Sequence, residues 1–386
     1  MFQALFNSLS GLFSFSRSLD TVSNNVANMN TPGFRGSDTF FENVNGGRGT
    51  RVAGEGLRTT AGDIRQTGTP TDVAIDGNGF FILRDDSGNL YYTRAGQFRF
   101  NEEGLLTDSV TGYQVMATDS VGNLSSIDLD TYRTLPPQAT TSVRIAGNIA
   151  PGTPSFTLGN FQVYDASGTM HTLTTTLTDN NAVTPGSYLV TVKDETGAVV
   201  STAGTEIRFD INGTPLTGFN TAALNLTYLG VSQTVTLNFG TAGAFDGATR
   251  LSGVATNLGG QVVDGHPMLG ITNLSFDSEG TLQFVYSSSE HREGPQLALA
   301  SFPNESALEL VGGRLIAGSS VQQRQIGRPG EGIFGRIAGG NLELANVDLT
   351  QEFADMIIIQ RGYQASSRVM TVSNEMIEQL YNSTRG

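Results

Sequence analysis

Between residues 5 and 29 apolar side chains recur every seven positions: Leu5, Leu12, Leu19 and Val26 share one register, and Phe15, Val22 and Met29 lie three residues beyond, with Ser8 the exception. Spacings of three and four place these side chains on one face of an α-helix, so the pattern predicts an amphipathic helix with a single apolar stripe. The run Asn28-Met29-Asn30-Thr31-Pro32-Gly33 leaves helical geometry and should end it near Asn28. A second stripe occupies the other end of the chain, where Leu349, Met356, Tyr363, Met370 and Ile377 recur at seven, flanked by Phe353, Ile359 and Leu380. Asp348 or Asn346 is placed to cap that helix. No proline follows Pro329, so about 35 helical residues are allowed, with Gly362 a weak point at ~1 kcal/mol relative to Ala.

Between the stripes the apolar period shortens to two. Tyr188 to Val192, Leu173 to Leu177 and Ile207 to Ile211 alternate as strands do. Asp or Asn followed three residues later by Gly recurs at Asp85, Asn101, Asp119, Asp165, Asp194 and Asp277, a hairpin-tip signature in which the first side chain bonds the turn backbone. One or two carboxylates per turn are too few for a calcium loop. The segment from residue 141 to 266 is Thr-rich and is bounded by Pro136-Pro137 and Gly265-His266-Pro267, which predicts an inserted domain. The Gly- and Pro-punctuated stretch 327–340 should be an irregular connector into the last helix.

At 386 residues the chain exceeds what one hydrophobic core serves, so two or more domains are expected. The charge, 22 basic minus 36 acidic residues, is −14, the wrong sign for nucleic acid or an anionic membrane surface. With no Cys, disulfides, thiol catalysis and Cys-ligated zinc are excluded. No window approaches the length of a membrane span, and residues 1–15 do not read as a signal peptide, since Gln3, Asn7, Ser8 and Ser10 interrupt them and no basic segment precedes. The histidines His171, His266 and His291 are scattered and are expected at the surface. Gly77-Asn78-Gly79 opens a strand where a phosphate loop would open a helix, so it is a turn. No nucleophile elbow and no distinctive carboxylate pair occur, and the Asn-x-Ser/Thr triplets are near chance frequency. No catalytic, cofactor or metal site is expected, and the chain is read as a non-enzyme.

Several stretches resemble a known family. Ser10-Gly11-Leu12, the run Leu19 to Asn28 containing Asn24 and Asn25, and Thr31-Pro32-Gly33-Phe34-Arg35 are similar to the N-terminal signature of flagellar rod and hook proteins. Ala74 to Phe81, containing Asp76, Gly77 and Gly79, and Tyr92 to Phe98, containing Arg94 and Gly96, resemble its next blocks. Asn346-Val347-Asp348 and Gln360-Arg361-Gly362 resemble its C-terminal signature. Residues 160–173 look like the block that opens the outer domain of hook-type members, which favours hook over distal rod.

The resemblance implies an α+β multidomain fold, with a terminal α-helical coiled-coil pair and nested, mainly-β inner and outer domains. It divides the chain into paired helices (1–30, 346–386), an extended connector (31–70, 318–345), an inner β-domain (71–145, 267–317) and an inserted outer β-domain (146–266). It further implies an extracellular helical homopolymer that transmits torque, with the stripe residues, including Phe353, at subunit interfaces. The implied partners are rod and hook-filament junction proteins, a hook cap during assembly and the flagellar type III export apparatus, with no nucleic acid and no membrane insertion. The alternatives are a distal rod subunit and, from a different class, a secreted β-rich adhesin or glycan-active enzyme.

Overall fold

The computed structural model describes every residue except 1, 45–48, 120, 204–205, 306–307, 318–322 and 385–386. The chain divides into two compact units, Met1–Arg133 with Ile271–Gly386, and Thr134–Gly270.

The first unit begins with helix α1, Phe2–Ala27, and ends with helix α2, Leu349–Thr384. Helix α1 stops where the sequence leaves helical geometry. Asn28 Nδ2 donates back to the Asn24 carbonyl at 3.0 Å, and five residues on Gly33 takes φ +68°. No other residue fits there, since a Cβ on Gly33 would lie 2.3 Å from the Ala95 nitrogen. Asp348 caps α2, its Oδ1 accepting the Thr350 N–H at 2.8 Å.

Two antiparallel strands, Ser37–Asn43 and Thr50–Leu57, follow α1, with a register shift between Phe40 and Phe41. The unit also holds two small antiparallel pairs, Ile64–Gln66 with Asn341–Glu343 and Val73–Asp76 with Arg336–Gly339, and a larger antiparallel sheet whose strands Gln114–Thr118, Phe80–Arg84 and Leu90–Thr93 are neighbours. Its core gathers Phe80, Ile82, Tyr92, Met116, Phe302 and Ile316. The expected hairpin tips form as the pattern suggests. Asp165 Oδ1 accepts the N–H groups of Ser167 at 2.8 Å and Thr169 at 2.9 Å, and the same bonding recurs at Asp85, Asn101, Asp119, Asp194 and Asp277.

The second unit is built from two sheets around one core that includes Val143, Phe161, Leu173, Val190, Leu224 and Leu237. One sheet contains the hairpin Thr221–Tyr228 and Val231–Asn238, with Ser142–Asn148 running parallel to its second strand. The other orders Ser155–Tyr164, Met170–Asp179, Ser187–Lys193 and Glu206–Arg208 antiparallel. The chain enters and leaves this unit through an antiparallel pair, Thr134–Leu135 against Leu269–Gly270.

Two expectations are corrected. The strand read from Ile207 to Ile211 ends at Arg208, because Asp210 turns the backbone and leaves Ile211 fully exposed at the apex. Of the histidines, only His291 is exposed. His266 is buried, and His171 is largely enclosed between Asp165 and Glu195 with its ring on Tyr228.

Candidate functional site

Stretches far apart in sequence converge on one buried carboxylate. Glu343 Oε2 accepts from Arg94 Nε at 2.7 Å with both side chains 1% exposed. Its Oε1 accepts the Gly62 N–H at 3.0 Å and faces Arg35 Nη2 at 3.5 Å, while its backbone carbonyl takes the Gly33 N–H at 2.8 Å. Two guanidinium ions against one carboxylate leave an excess positive charge, which a dry interior tolerates only if dipoles surround it. Carbonyls supply them: Arg94 donates to Gly79 at 2.6 Å, Gly77 at 2.9 Å and Ile75 at 3.1 Å, and Arg35 to Thr59 at 2.6 Å and Thr60 at 2.8 Å. Burial, then the like charge of Arg94, pulls the Arg35 pKa below its ordinary value, with Glu343 opposing. The glycines allow this convergence. A Cβ on Gly77 would lie 2.9 Å from the Gly335 Cα, and one on Gly96 would lie 1.7 Å from the Val73 carbonyl oxygen.

A second polar node ties the helices to the strands beside them. Asn25 is fully buried; it accepts the Ser37 N–H at 3.1 Å and donates to the Ser37 carbonyl at 2.9 Å and to Glu352 Oε2 at 3.1 Å. Glu352, also fully buried, accepts from Arg58 Nη1 at 2.6 Å, and Arg58 Nη2 reaches Asp38 at 2.8 Å. Burial opposes the Arg58 charge, but its hydrogen bonds to Asp38 and Glu352 outweigh that and hold its pKa above the ordinary value. Asn346 closes the node, accepting the Gly36 N–H at 2.7 Å and donating to the carbonyls of Thr60 at 2.7 Å and Arg58 at 3.2 Å.

Most of the signature residues therefore meet at these two nodes or brace them. Asn24, Asn28 and Thr31 bond one another at the end of α1, and Phe34 is buried. Asp76 is exposed on a strand paired to Arg336–Gly339. Gln360 and Arg361 lie exposed on α2, away from both nodes. Sequence reasoning missed Arg58, Glu343 and Glu352. Only Glu352 left a signal, standing seven residues before Ile359 in the first turn of an apolar-striped helix.

The helices make the second half of the site. On α1 the buried line is Ser8, Gly11, Ser14, Ser18, Thr21 and Asn25, with Val22 the one buried member of the apolar stripe; Leu5, Leu12, Phe15, Leu19, Val26 and Met29 are half-buried beside it. On α2 the buried line is Glu352, Ile359 and Ser373, with Leu349, Met356, Met370 and Ile377 half-buried, and Phe353, Tyr363 and Leu380 exposed. Small side chains let the two backbones approach. A Cβ on Gly11 would lie 3.1 Å from Ser366 Oγ, and one on Gly362 would lie 2.5 Å from Phe15 Cζ. Larger apolar residues are turned outward: Phe6, Phe13, Ile357 and Ile358 are more than half exposed, and Val369, Val372 and Met376 about half. A surface cavity of about 570 Å³ runs beside them, lined by Ala4, Arg368, Val369, Val372, Ser373 and Met376. Exposed apolar side chains therefore stand on both helices. Among the described residues no cluster of His, Asp and Glu is arranged to hold a metal, and no helix is long and apolar enough to cross a membrane.

Three family profiles match the chain. "Flagella basal body rod protein" covers residues 5–35, "Flagellar hook protein FlgE/F/G D1 domain" covers 74–149, and "Flagellar basal body rod FlgEFG protein C-terminal" covers 338–383. Asn25 and Arg35 fall in the first, Arg94 in the second, and Glu343, Asn346 and Glu352 in the third, so the two nodes are assembled from all three. This is the class of flagellar axial structural proteins. The flagellar hook protein FlgE of Salmonella typhimurium is 30% identical over 97% of this chain and 98% of its own length. That of Borreliella burgdorferi is 29% identical over 98% and 99%, and that of Treponema pallidum 29% over the full length of both. The crystal structure of Helicobacter pylori flagellar hook protein FlgE2 covers 72% of this chain and 100% of its own at 13% identity and a TM-score of 0.49, too slight a likeness to carry an argument. The chain belongs to the flagellar hook protein FlgE family, and its place is the hook of the bacterial flagellum, outside the cell.

Proposed function

We propose that the chain polymerises through its terminal helices into the curved tube of the hook, which passes torque from rod to filament while it bends. The observation that carries this is the outward-facing apolar surface of α1 and α2, from Phe6 and Phe13 to Ile358, Val372 and Met376, which water alone would leave unsatisfied. In the polymer the two helices act as a coiled-coil pair, and the stripe residues named from the sequence lie at or beside subunit contacts. The nested scheme of paired helices, connector, inner domain and inserted outer domain suits this role, because the buried nodes around Glu343 and Glu352 clamp segments from both halves of the chain. Catalysis has no part in the role. Rod and hook-filament junction proteins, a hook cap and the type III export apparatus are the partners such a subunit meets.

Negative-stain microscopy of the purified protein under polymerising conditions tests this reading. Curved tubes are expected. Straight rods, or no polymer at all, would contradict assembly through the terminal helices into a curved tube.

A further inference from the structure

Gly77-Asn78-Gly79 is the turn between strand Val73–Asp76, which pairs with Arg336–Gly339, and strand Phe80–Arg84 of the larger sheet. Both glycines have positive φ, +118° and +125°, and Asn78 between them is exposed. The carbonyls of the turn are all engaged. That of Asn78 accepts the Gly335 N–H at 2.8 Å, and Arg94 Nη1 donates to those of Gly77 at 2.9 Å and Gly79 at 2.6 Å. Two groups are left over: neither the Asn78 side-chain amide nor the Gly79 N–H has a hydrogen-bond partner among the described residues.

Those two groups are the reactants of one intramolecular reaction. The Gly79 nitrogen, once it has lost its proton, adds to the carbonyl carbon of the Asn78 side chain. The new bond from that nitrogen to Cγ closes a five-membered succinimide, the bond from Cγ to Nδ2 breaks, and the amide leaves as ammonia, carrying the proton that the Gly79 nitrogen gave up. Water then opens the ring at either carbonyl, leaving an aspartate or an isoaspartate at position 78. With no Cβ at residue 79, nothing on that residue shields its nitrogen.

The setting favours the step that needs base. Removing the proton from the Gly79 nitrogen puts charge on the Asn78 carbonyl oxygen, where the Gly335 N–H already points, and the Arg94 guanidinium stands on the adjoining Gly79 carbonyl. A placed donor and a nearby positive charge both stabilise such an anion. The same dipeptide at Asn212-Gly213 is also on an exposed turn, but it is tied down. Asn212 Nδ2 donates to Asp210 Oδ2 at 3.2 Å, and the Gly213 N–H donates to the Asp210 carbonyl at 3.0 Å. A bonded N–H is the poorer acid, and the carboxylate beside it opposes a second negative charge. A third pair, Asn45-Gly46, lies outside the described residues.

We propose that Asn78 is a modification site that deamidates through its own backbone, with water as the only co-reactant, so that the chain records its age. The isoaspartate form inserts a methylene into the main chain between the two carbonyls that Arg94 Nη1 grips, and it therefore loosens the Glu343 node from within.

The intact chain, incubated at mildly alkaline pH and mapped by peptide mass, tests this, since each deamidation adds about one mass unit. Asn78 should convert at least about tenfold faster than Asn212 in the native chain, and in concentrated urea the two rates should draw level to within about threefold. Equal rates in the native chain overturn the proposal, and so does a preference for Asn78 that persists in urea, because the turn would then have no part in it. The aged chain should also unfold its first unit at lower urea than a fresh Asn78→Asp variant, which has the charge but the ordinary backbone, while an aged Asn78→Ser variant keeps its fresh midpoint. An aged chain no weaker than Asn78→Asp, or an equal loss in aged Asn78→Ser, overturns the loosening of the node.

Discussion

The Phe15 ring of α1 occupies the space that a side chain at residue 362 of α2 would need: a Cβ on Gly362 would lie within 2.5 to 2.9 Å of three ring atoms. In an isolated helix Gly362→Ala would gain ~1 kcal/mol. Here overpacking costs about 1 to 3 kcal/mol and should win. The variant should lose the ordered contact between the helices, read as faster amide exchange around residues 11–15, and Phe15→Leu in the same chain should restore it.

The buried pair of Arg94 and Glu343 should behave unlike the exposed pairs. Glu343→Gln keeps the shape but leaves two guanidinium ions without a counter-charge, at a cost of about 3 to 5 kcal/mol in urea unfolding of the first unit. Arg17→Ala, which breaks the exposed pair with Glu55, should cost less than about 1 kcal/mol.

Asp165 links the second unit to pH. Its bond from the Ser167 hydroxyl, then those from the Thr169 N–H and His171, hold its pKa down at about 2 against the opposing effect of burial. A depressed carboxylate contributes stability that is present above its ordinary range near pH 4 and is lost as pH falls through about 2. Asp165→Asn should therefore remove at most ~2 kcal/mol at neutral pH, after allowance for solvent screening, and flatten the acid limb between those two values. Near-UV circular dichroism of the tyrosines is the readout.

Leu135 pairs directly with Leu269, so the chain leaves and re-enters the first unit at neighbouring points. Replacing the residues between them with a short Gly-Ser linker should leave a first unit that melts cooperatively, because the core cluster around Phe80, Tyr92 and Phe302 includes no residue from 134 to 270 among the described residues. Loss of a cooperative transition would mean that the two units fold as one.

The extent of both helices was legible because apolar periodicity and helix stops are local signals: α1 ends at Ala27 beside the Asn28 to Gly33 stop, and α2 begins one residue after the Asp348 cap. The face that packs was less legible. Counting apolar residues selects Leu12, Leu19 and Tyr363, but the buried line of α1 is small and polar: Gly11 lies against Ser366 of α2, and the Ser14 hydroxyl donates to the Thr50 carbonyl of the neighbouring strand. Glu343 and Glu352 read as ordinary surface acids, since their partners Arg94 and Arg58 lie 249 and 294 residues away and only the fold brings them together. Ile211 read as a strand residue because alternation does not report the Asx turn made by Asp210.

The central claim is that α1 and α2 bury their outward apolar faces against neighbouring subunits. Hydrogen exchange on one preparation before and after polymerisation tests it most directly, followed at residues 366–384 of α2, which lie beyond the Glu352 node. Exchange there should be fast in the monomer and become strongly protected in the polymer, while amides around Glu343 stay protected in both. Equal protection of residues 366–384 in monomer and polymer, or fast exchange that persists in intact tubes, would contradict the account.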